Sequence, residues 1–274
     1  MFKLKKQFLA GPYIVWIIGF ILLPIVLILF YGLSDYHGNF TFDNLLSIFD
    51  PIHMKSLLFS LRLALICTVI CLILAYPLAM ILNSMHLKHQ SFVVFVFVLP
   101  MWMNFMLRIL AWKLLLSNNG VINNILASLG LPAIQLLNTP SAVVFGMVYD
   151  YLPFMILPIY NAMSRIGHDI IDAARDLGAN QVQVFFKITM PLTISGVLSG
   201  IIMVFVPALT SFVISNLLGG GKVLLIGNVI EQEFMQTMDW NLGSGLSIVL
   251  MIFVIASMAF MNTHNKDGEG TAVW

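Results

Sequence analysis

The chain has 274 residues, of which 60% are hydrophobic and only 9% are charged, and its mean hydropathy is +0.97. Soluble globular domains carry about 25% charged residues, so this composition excludes a soluble protein and indicates a membrane protein. The formal net charge of +1 says little by itself. The lipid bilayer, rather than a nucleic acid, is the expected surrounding of this chain.

Apolar runs of about 20 residues can span a bilayer as helices, and the sequence predicts six of them. In chain order they cover residues 13–33, 57–83, 92–116, 141–163, 192–216 and 246–263. The predicted fold is therefore all-α, a polytopic membrane protein with six transmembrane helices. The first run exceeds the usual h-region of about 7–15 residues and no A-x-A site follows it, so we interpret it as a retained anchor.

The charged residues between these runs predict the topology. If the spans alternate, one side receives the basic residues Lys3, Lys5, Lys6, Lys88, Arg165, Arg175, Lys187 and Lys266. The other side receives Lys55 and Lys222 with the acids Asp35, Asp43, Asp50, Glu231, Glu233 and Asp239. The positive-inside rule then places both termini in the cytoplasm. The outer acids either attract cations or only reflect this topology.

The topology gives the predicted domain organisation. Residues 1–12 form a cytoplasmic N-terminal segment, residues 13–263 form the six-helix transmembrane domain, and residues 264–274 form a cytoplasmic tail. Within the transmembrane domain, residues 164–191 form a cytoplasmic loop.

Patterns typical of enzymes and metal sites are missing from the sequence. Cys67 and Cys71 lie four residues apart on one face of the second span, and without a nearby histidine we interpret them as packing residues. Gly219–Lys222 reads GGGK, but Val223 follows the lysine, so the phosphate-loop pattern is not met. Nucleophile, base and orienting group do not gather in one loop. We expect no catalytic residue, metal or cofactor in this chain.

Two charged residues fall within predicted spans. Asp150 lies nine residues into the fourth span, about 13 Å from its outer end at 1.5 Å per residue. Arg108 lies eight residues from the outer end of the third span, about 12 Å deep by the same rise. Equal depth permits an ion pair, whereas an unpaired carboxylate would be a candidate for the translocation path. Asn104 and Tyr149 flank these charges and could line a polar passage.

The stretch DAARDLGANQVQVFFKITMP, residues 172–191, gathers charges, a glycine and a proline in the cytoplasmic loop. Asp169 can cap a short helix, and Gly178 suits the left-handed position that ends it. Asn180 can cap a second helix, and Pro191 marks the entry to the next span. The pattern predicts a helix, a sharp turn and a second helix. An amphipathic connector resting on the lipid surface would show the same pattern.

The spacing in this stretch resembles the E-A-A-x-x-x-G-x(9)-I-x-L-P loop of ABC importer permeases. Asp172 replaces the glutamate and Met190 replaces the leucine, so the carboxylate and the apolar side chain are kept. The resemblance implies the fold of a type I ABC importer permease, with a coupling helix that docks on a cytoplasmic ATPase. The coupling residues that it implies are Asp172, Ala173, Ala174, Gly178, Ile188 and Pro191.

Three further segments narrow the resemblance. Residues 99–123, 148–160 and 216–234 are similar to the first permease subunit of spermidine/putrescine importers. This implies a bacterial cell membrane, two copies of an ATPase subunit that binds ATP and Mg, a second homologous permease and an extracytoplasmic polyamine-binding protein. Permeases for sulfate, iron or another small solute share the architecture. An ion-coupled secondary transporter is the alternative from another class.

The outer loop at residues 217–245 contains the apolar run VLLIGNVI, which is too short to cross the bilayer. We expect a re-entrant or surface segment, which the resemblance places under the binding protein; a lid without a partner is the alternative. The candidate contact residues are Gly219, Gly220, Gly221, Glu231 and Glu233.

Overall fold

The computed structural model describes residues 11–84 and 99–263. The predictions for most of the N-terminal segment, for the connection that holds Lys88, for the start of the third span and for the C-terminal tail lie outside these residues. Within the described ranges the structure is helical and has no β-strand; it contains one isolated antiparallel bridge, between Ser34 and Phe40.

The first half of the described chain alternates long and short helices. They are α1 (Gly11–Gly32), α2 (Asp43–Leu46), α3 (Pro51–Ser84), α4 (Phe105–Leu116) and α5 (Val121–Ser128). A π-helical turn at Ile18–Leu22 lies within α1.

The second half begins with a long helix and a helical loop. Its helices are α6 (Pro140–Met163), α7 (His168–Asp176), α8 (Gln181–Leu192), α9 (Ile194–Thr210), α10 (Val213–Gly219), α11 (Ile226–Gln232) and α12 (Trp240–Thr263). Two of them carry π-helical turns, α8 at Phe185–Thr189 and α11 in its continuation at Glu233–Thr237.

Four of these helices are long and apolar enough to cross a membrane, namely α1, α3, α6 and α12. The pair α8 and α9 makes a fifth if its 63° bend is counted as part of one span. The described residues thus supply four or five of the six predicted spans.

The third predicted span is not one helix in its described part. A 3₁₀ turn at Leu99–Trp102 is followed by a break, and α4 starts only at Phe105. The Asn104 side chain accepts a hydrogen bond from the backbone N–H of Leu107 (3.2 Å), which fixes a new helix start there. The prediction of a continuous helix was wrong, because an average of hydropathy over the run does not detect a single capping residue.

The last two predicted spans also have different bounds. The fifth was expected to reach residue 216, but Ser211 is extended and separates α9 from α10. The sixth was expected to begin at residue 246, but α12 begins at Trp240, because Asp239 Oδ1 accepts a hydrogen bond from the backbone N–H of Leu242 (2.9 Å).

By its internal contacts the chain divides into two compact units. One comprises the N-terminal part to Lys55 together with Val229–Ile255. In this unit α1 approaches α12 through glycine: a Cβ on Gly32 would lie 3.0 Å from the backbone nitrogen of Gly245. The Asn241 side chain donates a hydrogen bond to the carbonyl of Ser34 (2.6 Å) and so fixes the end of α1.

The other unit comprises Ser56–Asn228 and the end of the chain from Ala256. A close contact in this unit joins α6 to α9: a Cβ on Gly196 would lie 2.6 Å from the carbonyl oxygen of Pro158, and one on Gly200 would lie 2.7 Å from Met155 Sδ. Small residues spaced by four let two membrane helices approach closely. The α6–α9 pair is therefore a closely packed helical hairpin.

In the same unit α3 packs through small side chains. Cys67 and Cys71 are fully buried, and Cys71 Sγ lies 3.9 Å from the carbonyl oxygen of Val148 on α6. Both cysteines are free, which agrees with their interpretation as packing residues.

Candidate functional site

The loop between α6 and α9 folds as the sequence predicts at its turn. The N–H of Gly178 donates to the carbonyl of Arg175 (2.8 Å), and the N–H of Ala179 donates to that of Ala174 (3.0 Å). This is the Schellman arrangement, and Gly178 has the left-handed φ of +85° that it requires. The backbone carbonyls at the end of α7 are thereby satisfied, and the turn direction is fixed.

The second helix of the loop begins where predicted. The Asn180 side chain accepts from the N–H of Gln183 (2.8 Å), and the Gln183 side chain accepts from the N–H of Asn180 (2.9 Å), a complete capping box. The predicted cap of the first helix was wrong. Gly167 is the N-cap of α7 and makes no side-chain hydrogen bond, and Asp169 lies inside the first turn. Its carboxylate there still meets the positive end of the helix dipole.

One side of α7 is uncovered. We call Ile170, Ala173 and Leu177 the α7 surface; all three are exposed, Leu177 by 91%. Residues three and four apart share a helix face, so these apolar side chains form one strip. Helical spacing alone does not report that nothing in the described chain covers Leu177.

The opposite side of α7 faces its own chain. Ile171, Asp172 and Arg175 border a cavity of about 370 Å³ whose other walls include Met80 of α3 and Val184 of α8. Asp172 and Arg175 form an exposed ion pair at 3.5 Å.

The remaining predicted coupling residues lie between α7 and the next long helix. Ala174 is half-buried in α7, and Ile188 is half-buried in the π-helical turn of α8. Pro191 is exposed in the last turn of α8, two residues before the 63° bend at Thr193. Pro191 thus precedes the bend rather than starting the straight span.

The structure brings Arg108 and Asp150 together. Arg108 Nη2 lies 2.5 Å from Asp150 Oδ1, and the two side chains are only 9% and 2% exposed. The guanidinium carbon also lies 5.7 Å from the ring centre of Tyr149, and Trp112 meets that ring edge to face at 5.1 Å. This cluster joins α4 to α6. Asn104, predicted beside it, is exposed and caps α4.

The glycines of the predicted outer loop adopt conformations that other residues disfavour. Gly220 and Gly221 have φ of +55° and +76°, and Gly219 is buried at the end of α10. The N–H of Lys222 donates to the carbonyl of Gly219 (3.0 Å), which closes a tight turn. Glycine has no Cβ and adopts positive φ readily, so backbone geometry accounts for the triplet.

The apolar run after this turn is buried by its own chain, so it needs no partner surface to cover it. Val223, Leu225 and Ile226 are 0–3% exposed. Asn228 fixes the segment: its side chain accepts from the N–H of Leu225 (3.0 Å) and donates to Asn216 Oδ1 (2.7 Å). The run is therefore not an exposed surface segment, and contact of this loop with a binding protein stays a prediction.

Glu231 and Glu233 belong to the other compact unit. Both are half-buried, and Glu233 Oε2 accepts a hydrogen bond from Thr237 Oγ1 (2.7 Å). Among the described residues no group of three or more His, Cys, Asp or Glu side chains could hold a metal ion.

Two of the acids predicted on the outer side serve the local backbone. Asp35 Oδ1 accepts from the N–H groups of His37 and Asn39, both at 2.8 Å, and Asp239 caps α12. These contacts account for the two acids without a cation.

Known proteins share both sequence and fold with this chain. The family described as "Binding-protein-dependent transport system inner membrane component" matches residues 71–265. The spermidine/putrescine transport system permease protein PotB of Haemophilus influenzae is 39% identical over 259 residues, 92% of this chain and 91% of that protein. PotB of Escherichia coli K12 is 40% identical over 247 residues, 86% of this chain and 89% of that protein.

A more distant relative and a solved structure agree. The inner membrane ABC transporter permease protein YdcU of Escherichia coli K12 is 30% identical over 85% of this chain and 80% of that protein. A chain of the bacterial alginate ABC transporter, solved with an alginate pentasaccharide-bound periplasmic protein, superposes with a TM-score of 0.78 at 18% identity and covers 98% of this chain and 96% of its own. This likeness shows the fold. The chain is therefore a multi-pass membrane protein of the binding-protein-dependent transport system inner membrane component family, and the resemblance seen in its sequence is confirmed.

Proposed function

We propose that the chain is the transmembrane permease subunit of an ABC importer that carries polyamines such as spermidine and putrescine into the cell. The support for the substrate is the 39–40% identity to two proteins named for spermidine/putrescine transport, which extends over about nine-tenths of each relative. The support for the class is the matching family and the shared fold.

The proposed topology has six spans, with both termini and the α7–α8 loop in the cytoplasm of a bacterial cell. The third span would end with α4. Arg165, Arg175 and Lys187 in or beside the α7–α8 loop support this orientation, because cytoplasmic loops of membrane proteins are rich in basic residues.

The proposed complex contains two copies of an ATPase subunit, a second homologous permease and an extracytoplasmic polyamine-binding protein. ATP and Mg would bind to the ATPase, and this chain would not be catalytic. The exposed turn at Gly220 and Gly221, and separately Glu231 and Glu233, are the proposed contacts for the binding protein.

The observation that carries the coupling role is the α7 surface. The α7 surface is a strip of exposed apolar side chains. The C-terminal end of α7 is fixed by the Schellman turn, and its N-terminal end is tied to α6 by a short link. A partner can bury Leu177 without rearranging the loop, and the small Ala173 lets that partner approach the helix closely. Ala174, Gly178, Ile188 and Pro191 would then shape the loop, and Ala173 would touch the ATPase on the α7 surface. Asp172 lies on the other side of α7, but its side chain is 65% exposed and would touch the ATPase at the edge of the contact.

We further propose that Arg108 and Asp150 act as a structural tie between α4 and α6. Both side chains are almost fully buried and oppositely charged at 2.5 Å. Intramembrane charges are costly unless paired, and a carboxylate already neutralised by arginine is a poor site for a passing polycation.

Uptake into vesicles tests the function. The complex is reconstituted with its ATPase and binding protein, and labelled spermidine is supplied on the binding-protein side with ATP on the other. We expect uptake that requires ATP and that fails with a hydrolysis-deficient ATPase. Uptake of a different solute would overturn the polyamine assignment, and the absence of ATP-dependent uptake of any solute would overturn the importer assignment.

The docking surface is tested with two exposed leucines. Leu177→Asp should abolish co-purification of the ATPase, because a carboxylate replaces the most exposed apolar contact of the α7 surface. The matched control is Leu129→Asp, a leucine 68% exposed in the proposed outer connection after α5. Equal loss of ATPase from both variants, or from neither, would contradict docking on α7.

A further inference from the structure

The chain bends by 63° between α8 and α9, and the residue at the bend is Thr193. Its side chain is fully buried. Thr193 Oγ1 lies 2.8 Å from the carbonyl oxygen of Thr189 and 2.7 Å from Tyr76 Oη. A hydroxyl has one hydrogen to donate. Thr193 therefore donates to the Thr189 carbonyl and accepts from the Tyr76 hydroxyl.

The sequence explains why the helix bends here. Pro191 has no backbone N–H, so the last turn of α8 lacks one helical hydrogen bond. A threonine hydroxyl bonded to the carbonyl four residues earlier also bends helices. The bend is thus fixed by the local sequence, and the Tyr76 hydroxyl is the one side-chain group from another helix that is seen bonded to it among the described residues.

Tyr76 belongs to α3 and contacts α8 at two points. Besides the hydrogen bond, its ring meets that of Phe185 edge to face, with centres 5.5 Å apart. Phe185 begins the π-helical turn of α8. Pro77 follows Tyr76 and interrupts the helical hydrogen bonds of α3 at the same level.

The helices on the two sides of the bend are held differently. Beyond it, α9 is locked to α6 by the close approach of Gly196 to Pro158. Before the bend, α8 is preceded in the chain by α7, which carries the exposed α7 surface. A push on α7 reaches α6 through the short link at residues 164–167. It reaches α9 along the chain through the bend, where it is either transmitted or absorbed by further bending.

We propose that Tyr76 and Thr193 are positioning residues that pin this bend to α3, so that displacement of the α7–α8 loop moves the spans instead of flexing the bend. The inference rests on the proposed function, because it requires an ATPase that displaces the loop. It adds α3 to the coupling path and assigns a role to two residues outside the importer loop pattern.

The test measures spermidine taken up per ATP hydrolysed by the reconstituted complex. Tyr76→Phe removes one oxygen and keeps the ring on Phe185. We expect ATP hydrolysis to continue while uptake per ATP falls about fivefold, the factor that corresponds to one net hydrogen bond. Thr193→Val should give the same loss, and Thr193→Ser, which keeps the hydroxyl, should restore the ratio.

The matched control is Tyr151→Phe, which removes a tyrosine hydroxyl that donates to the Pro207 carbonyl (3.3 Å) within the α6–α9 pair. Uptake per ATP should stay unchanged in this control. An unchanged ratio in Tyr76→Phe, or uptake and hydrolysis that fall together with the thermal midpoint, would overturn the inference. Failure of the proposed function would instead appear as no ATP-dependent uptake by the unaltered complex.

Discussion

Arg108 and Asp150 show how a single pair of residues constrains the packing of two helices. At 2.5 Å and with side chains 9% and 2% exposed, each charge relies on the other. Removing one partner of a buried ion pair typically costs about 3–5 kcal/mol, because the remaining charge stays buried without compensation.

We expect Arg108→Asp and Asp150→Arg each to lower the amount of the protein in the membrane and its thermal midpoint. The charge-swapped double variant should recover most of both. Stability is measured on purified protein in detergent. The control pair is Asp172→Arg and Arg175→Asp, whose side chains are 65% and 57% exposed; such surface pairs are worth less than about 1 kcal/mol. If both buried singles insert normally and only Asp150→Arg loses uptake, Asp150 belongs to the path.

Tyr36 gives a prediction about pH. Its hydroxyl donates to Asp239 Oδ2 at 2.5 Å, and this hydrogen bond to a carboxylate raises the pKa of Tyr36 above its usual value. Because the folded pKa exceeds the unfolded one, the contribution of this contact to stability is present below pH of about 10. It is lost as the pH rises through the folded pKa.

The pKa of Tyr36 is measured from the alkaline absorbance of the unaltered protein minus that of Tyr36→Phe. Asp239→Asn keeps an acceptor for the α12 cap but removes the charge, so it should move the Tyr36 midpoint down toward the ordinary tyrosine value. An identical Tyr36 midpoint in the unaltered protein and in Asp239→Asn would contradict the conclusion that the Asp239 carboxylate raises the pKa of Tyr36.

Single residues also show which parts of the site the sequence can predict. Gly178 and Asn180 act on their immediate neighbours, and their roles follow from a few adjacent residues. The equal predicted depth of Arg108 and Asp150 in the membrane made an ion pair between them one of two possibilities. The exposure of Leu177 and the contact of Tyr76 with Thr193 depend on residues far apart in sequence, and no local pattern reports them.

Among the helices, α6 and α9 pack closely against each other, and glycine makes this possible. A Cβ on Gly196 would lie 2.6 Å from both the Pro158 carbonyl oxygen and Ala162 Cβ. Added volume in a packed interface costs about 1–3 kcal/mol, whereas alanine in an open helix position is more favourable than glycine by up to about 1 kcal/mol.

Gly196→Ala and Gly19→Ala should therefore have opposite effects. Gly196→Ala should lower the thermal midpoint. Gly19→Ala should leave it unchanged or raise it, since a Cβ at Gly19 in α1 would meet no atom within 4 Å. Thermal unfolding of the two purified variants in parallel gives the comparison. A Gly196→Ala protein as stable as the unaltered one would show that the α6–α9 contact is not tight.

The helices also show the limits of hydropathy. It located α1, α3 and α6 closely, because long apolar runs dominate their sequences. It failed at the ends set by caps, where Asn104 starts α4 and Asp239 starts α12. It also joined α9 to α10, because an extended residue such as Ser211 leaves the average hydropathy unchanged.

At the scale of the whole molecule, the family and the fold agree on a permease, and the proposed docking of an ATPase on the α7 surface would give this permease a place to receive force. Arg108 with Asp150 ties α4 to α6, the glycines lock α6 to α9, and Tyr76 ties the bend to α3. A displacement of α7 would thus act on most of the helices in the compact unit that comprises Ser56–Asn228.

Crosslinking from the α7 surface tests this account most directly. The buried Cys67 and Cys71 are replaced by alanine, a single cysteine is placed at Leu177, and a short thiol crosslinker is applied to membranes that contain the assembled complex. The account predicts a product that joins this chain to the ATPase subunit, and none from a cysteine placed at Leu129. A Leu177→Cys protein that never reaches the ATPase, or that is labelled only by impermeant reagents from outside the cell, would contradict it.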